Sequence, residues 1–148
     1  MKPDVDLTLQ LIAASLMTEI APKISDDYTQ RNSMLTVMLL QCAAEEWDRA
    51  AARRVEENRT LRRLFAEVAR EIGDRDLRDR LEAASAGEDE SLRISDLNRS
   101  NDGLRTLLIE LHAHVEEIET EAARRIEAAI WQELRVSTER RALSVAPF

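Results

Sequence analysis

The stretch SMLTVMLLQCAAEEW, residues 33–47, limits the folds open to this chain more than any other. Plotted at about 100° per residue, Leu35, Met38, Leu39, Cys42, Ala43 and Ala50 make one apolar face. Met34, Val37, Leu40, Ala44 and Trp47 cover the other sides. A helix that is apolar all round has to be enclosed, either by its own chain or by a second one. With Arg31 before it and Glu45, Glu46 and Asp48 behind it, the run falls short of the roughly 20 apolar residues that cross a bilayer. The expectation is the central helix of an all-α bundle.

The rest of the chain agrees. Its 148 residues hold only three Gly and three Pro among abundant Ala, Leu, Glu and Arg, a composition that favours helix throughout. That length can bury a core without disulfides or metal. Residues 1–135 read as a single helical-bundle domain, and 136–148, where periodicity is lost, as a tail. The formal charge of −8 argues against nucleic acid. The basic pairs Arg53-Arg54, Arg62-Arg63, Arg124-Arg125 and Arg140-Arg141 each sit among acids, as on a solvated, ion-paired helix face. Cys42, the single cysteine, reads as a small buried hydrophobe, not a reactive thiolate. At the N-terminus one Lys faces two Asp and Glu19 interrupts the apolar run. That is no export signal, so a cytoplasmic protein with no membrane span is expected.

Capping residues and apolar spacing divide the chain into elements. A first helix starts at Asp4 or Asp6, carries Leu9, Ile12, Leu16 and Ile20, and closes at Ala21-Pro22. A long helix follows over about 26–57. Asn58-Arg59-Thr60 reads as a break, after which Leu61, Leu64, Phe65, Val68 and Ile72 recur at helical spacing until Gly73, a candidate left-handed terminator. Asp74 can cap a short helix with Leu77, Leu81 and Ala84. A second long helix is expected over about 92–134, with a weak point at Asn101-Asp102-Gly103. In it Leu97, Leu104, Leu111 and Ile118 recur every seventh residue, with Leu108, Val115 and Ala122 between them, as in a knobs-into-holes seam. Beyond Ala122 the stripe rotates to Ile126, Ile130 and Leu134, turning toward a different neighbour or a partner chain. The fold class is all-α, with two long helices and three shorter ones.

Chemistry-bearing residues are few. Glu46 projects within about 20° of the apolar face's centre, with Arg31 and Asn32 near the same face. A buried carboxylate needs a partner, so Glu46 belongs either to a core ion pair or, with Arg31 and Asn32, to the floor of a ligand pocket. Arg31 lies roughly 22 Å from Glu46 along one straight helix, too far to pair with it. Both histidines fall in the run Glu110-Leu-His112-Ala-His114-Val-Glu116. Glu110–His114 and His112–Glu116 are each four apart and could share a face. A carboxylate-bridged dimetal bundle site requires Glu-x-x-His on two helices. The chain has no such motif, and its two histidines flank opposite edges of the Leu111 stripe. Ordinary helix ion pairs are the better expectation there, with His112, His114 and Glu110 as the candidates should a metal bind. No glycine-bracketed serine or phosphate-cradling glycine loop occurs, so neither a catalytic residue nor a cofactor is expected. Trp47 and Trp131, off their main seams, are the candidate interface residues, with Leu40 and Ile130 beside them.

Glu19, Ile20, Pro22, Tyr28, Arg31, Asn32 and the pair Glu45-Glu46 occur in an order that resembles an uncharacterised family of small bacterial helical proteins. Its members are often encoded beside aminoglycoside-phosphotransferase-like kinases and acyl-CoA dehydrogenases. The resemblance spans residues 11–58 and implies an accessory role near acyl-CoA metabolism, without an activity to carry over. The sequence thus points first to a non-catalytic bundle protein that forms a homodimer or binds a protein partner. A small-molecule or acyl-group pocket near Glu46 and a metal-binding bundle at His112 and His114 are the alternatives.

Overall fold

The computed structural model describes residues 4–144. The end of the expected tail, 145–148, and the first three residues of the N-terminal run lie outside them. The fold is all-α, with no strand among the described residues. Helix α1 (Val5–Ser15) passes into a π turn (Leu16–Ile20) and a 3-10 turn (Ala21–Lys23). Helices α2 (Asp27–Val68), α3 (Arg75–Ser85), α4 (Ile94–Glu116) and α5 (Glu121–Arg141) follow. The described residues group into two compact units. One comprises residues 4–50 with 142–144, the other residues 51–141.

In the first unit, Pro22 explains the change of helical pitch. It cannot donate a backbone bond, and its ring crowds the carbonyl four residues back. The chain widens instead, so that the Ala21 amide reaches the Leu16 carbonyl. Asp26 then caps α2, accepting from the Thr29 amide (2.8 Å) and hydroxyl (2.7 Å), which holds its carboxyl below the usual range. Asp6 and Gln10 of α1 share a groove with Gln41, Ala44, Glu45 and Asp48 of α2, so α1 runs back antiparallel along it. The apolar residues buried here are Ala13, Ala21, Val37, Ala44 and Ala50.

This corrects the expected face of residues 33–47. Val37 and Ala44 are inside, whereas Leu35, Leu39 and Ala43 are outside and Met38 and Cys42 half-buried. One short helix covers only one side of α2, and it packs where small side chains let the backbones approach.

The second unit has a fuller core. Leu61, Leu64, Phe65 and Val68 of α2 meet Leu77 and Leu81 of α3, Leu104, Leu108, Leu111 and Val115 of α4, and Ile126 and Ile130 of α5. Of the expected seam, Leu97, Leu104, Leu108, Leu111 and Val115 are buried on α4, whereas Ile118 falls in the turn after it and Ala122 on α5, both half-buried. Three boundaries move. No break occurs at Asn58-Arg59-Thr60, because the Asn58 side chain bonds to other elements instead of its own backbone. The chain leaves α2 through a 3-10 turn (Ala69–Glu71), and no glycine adopts a positive φ, so Gly73 is not a left-handed terminator. The expected long helix over 92–134 is two helices. Thr120 starts the second by accepting from the Ala123 amide (3.1 Å), and α5 then continues to Arg141, through residues read as tail. Asp74 caps α3 as expected, accepting from the Leu77 amide (2.8 Å).

Helix α4 passes through Asn101-Asp102-Gly103 without interruption. A Cβ added at Gly103 would meet nothing within 4 Å, and its φ suits any residue. Gly103→Ala is expected to stabilise the protein by about 0.5–1 kcal/mol, read as a higher urea midpoint at unchanged slope.

Candidate functional site

The first unit carries an unusual surface. Leu7, Leu11, Ile12, Met17, Ile20, Tyr28, Met34, Leu35, Leu39 and Trp47 are all exposed there. They are ten of the fourteen exposed large apolar side chains among the described residues. Neither residues 7–18 nor residues 32–44 contain a charge, and the antiparallel path of α1 sets these two windows side by side. Residues 142–144 are tied to α2 in the same unit. The Ser144 amide (2.9 Å) and hydroxyl (2.7 Å) donate to Glu45, while Arg49 bridges Glu45 to the Ala142 carbonyl. The Ser144 hydroxyl above all, joined by the Ser144 amide and the Arg49 guanidinium, keeps the Glu45 carboxyl below the usual range and outweighs the opposing effect of burial.

The second unit holds a buried polar cluster beside its apolar core. Glu57 is fully buried. Arg141 donates to both of its oxygens (2.8 and 2.7 Å), and Arg54 donates to one (2.9 Å). Asn101 adds a bond at 3.3 Å and Ser137 one at 3.4 Å, with the Arg105 guanidinium 3.8 Å away. Asn101 also donates to Asn58 (2.9 Å), which donates in turn to Asp89 (3.0 Å) and to the Leu97 carbonyl (3.4 Å). Arg62 closes the far end on Asp89 (2.8 Å) and Ser100 (2.9 Å). Burial works to raise the Glu57 pKa, yet the Arg141 hydrogen bonds and the charges of Arg141, Arg54 and Arg105 outweigh it and hold the value at about 2. Glu133 moves the other way. Burial pushes its carboxyl up, although Arg140 donates to it (3.0 Å).

The cluster closes in one register only, because Asn101 occupies the seam slot between Leu97 and Leu104 and a one-residue slip would carry it off. Sequence reading missed its members by taking Asn58 as a break and Ser137 and Arg141 as tail. The signal was present: Glu57 lies four residues before Leu61, one turn back along the same apolar stripe.

The candidates named from sequence separate in space. Arg31 and Asn32 are exposed and Glu46 is half-buried. The groove on this part of α2 is lined by Glu45, not Glu46. Trp47 and Trp131 are exposed and Leu40 half-buried, but Ile130 is fully buried in the second unit's core, which removes it as an interface residue. The stripe rotation after Ala122 serves the packing of α5 against its own chain. Arg80 of α3 binds Glu110 (2.5 Å), and the His114 Nε2 is buried without a hydrogen-bond partner. His112 does approach Glu116, at 3.5 Å.

No helix among the described residues is long and apolar enough to cross a membrane. No protein-family model, no curated protein and no solved structure matches the chain.

Proposed function

We propose that this protein acts by association and not by catalysis, pairing with a second copy of itself through α1 and the first half of α2. The observation that carries the reading is the exposed apolar surface of the first unit. Its buried side chains are four alanines and one valine, so the unit hides little apolar area within itself. Ten side chains, most of them about half exposed, offer several hundred Å², the scale of one partner's share of a standard interface, about 800 Å². Two such hairpins set face to face make a four-helix arrangement that encloses both copies of α2.

A second copy fits better than an unlike partner. The two windows carry no charge, so like meets like across a two-fold axis without repulsion, and no charge pattern selects a different chain. The accessory role implied by the family resemblance is compatible with such a pairing module.

Sedimentation velocity between about 1 and 100 µM tests the reading, a range that brackets micromolar dissociation constants. A dimer dissociating only toward the low end is expected. A strict monomer at the top of the range would overturn it.

A further inference from the structure

The turn end of the α4–α5 hairpin holds an arrangement that neither the apolar core nor the Glu57 cluster uses. His112 and Glu116 lie one turn apart on α4, and Glu127 approaches from α5. One ligand atom of each falls within 4.8 Å of the other two. The His112 side chain is only 18% exposed. Its Nε2 is buried without a hydrogen-bond partner, and the nearest Glu116 oxygen is 3.5 Å away. Trp131, one turn beyond Glu127, sets its ring against His112 edge to face, with centroids 5.3 Å apart at 87°. That contact fixes the direction of the imidazole.

Two carboxylates gathered at one imidazole repel each other and leave its buried nitrogen unsatisfied. A divalent cation among the three groups removes both costs at once. We propose that His112, Glu116 and Glu127 form a three-ligand site for a first-row divalent transition metal of the Zn²⁺ class, with water completing its coordination. One imidazole with two carboxylates suits such an ion better than soft Cu⁺, which prefers sulfur, or Ca²⁺, which prefers oxygen alone. Glu116 is exposed and Glu127 half-buried, so both can adjust their rotamers to bring oxygens to the roughly 2.0–2.2 Å that Zn²⁺ requires. His112, held by Trp131, is the fixed ligand. The site lies wholly within the second unit and is independent of the pairing proposed above.

The test is calorimetric titration of the untagged, chelator-stripped full chain with Zn²⁺ alone, with Co²⁺ and its visible absorption as a second probe. The expected result is one equivalent per chain with a dissociation constant of about 10 µM or tighter. His112→Ala and Glu127→Gln should each weaken binding at least roughly tenfold, since losing a ligand costs no less than losing a hydrogen-bond partner that orients one. His114→Ala should leave it unchanged. Glu127→Gln keeps the side chain's size at a half-buried position, so it separates ligand loss from misfolding, with circular dichroism as the check. No binding at 100 times that concentration would overturn the site, as would binding that survives both His112→Ala and Glu127→Gln.

Discussion

Glu57→Gln is expected to cost about 3–5 kcal/mol of stability, the loss that follows when one member of a buried ionic cluster is removed and its partners stay behind. Glutamine fills the same space but leaves Arg54, Arg105 and Arg141 facing a neutral amide. Arg141 loses both bonds of its fork, and the amide nitrogen adds a donor where every neighbour already donates. The half-exposed pair Arg80–Glu110 sets the contrast, and Glu110→Gln should cost at most about 1 kcal/mol. Urea unfolding of the two variants beside the parent decides the matter. Equal small losses would mean that water reaches the Glu57 cluster and screens it.

The same cluster makes an acid-side prediction. Glu57 has a pKa of about 2 in the folded chain against an ordinary 4.5, so the folded state binds its proton less readily than the unfolded one. Its contribution is therefore complete above about pH 4.5 and is lost as the pH falls toward 2, amounting to about 3 kcal/mol. Glu133, displaced upward by burial, contributes with the opposite sign, since the folded state gains on protonating it. Unfolding free energy should thus fall between pH 4.5 and 2 in the parent, and fall less in Glu57→Gln. Identical slopes in the two proteins would contradict the assignment.

How much of this was legible in the sequence depends on what fills each helical stripe. Apolar spacing located Leu61 to Ile72, Leu97 to Val115 and Ile126 to Ile130 correctly, because each run packs against several neighbours at once. It failed where polar residues occupy the same stripes: Glu57 and Asn58 on α2 and Glu133 and Ser137 on α5 beyond the ends of the runs, and Asn101 on α4 within one. Periodicity treats polarity as a sign of solvent or a loop. Glu57, Asn58, Asn101 and Ser137 bond to one another across three helices, and Arg141 reaches Glu57 from 84 positions away. Residues 33–47 show the converse limit. Their all-round apolarity was plain, but it does not state what covers them, and within this chain α1 covers one side only.

That uncovered side yields the second large effect. Leu35→Glu with Leu39→Glu is expected to weaken self-association at least 100-fold, about 3 kcal/mol or more, by setting two carboxylates per copy into an apolar contact. Both leucines are about half exposed in the isolated chain, at 49% and 57%. Glutamate is nearly as good a helix former as leucine, so the fold of each copy should change by no more than about 0.5 kcal/mol. Leu92→Glu alters a leucine of the second unit that is more exposed still, and should leave association untouched. Trp47 supplies an independent reading. It is 61% exposed and lies on the same half of α2, so in a Trp131→Phe background its emission should shift to the blue as concentration rises. The shift should vanish in the double glutamate variant. A dimer that survives Leu35→Glu with Leu39→Glu while Trp47 stays in water would place the contact away from α1 and α2. A monomeric variant with native helicity would identify these windows as the surface that a second copy covers.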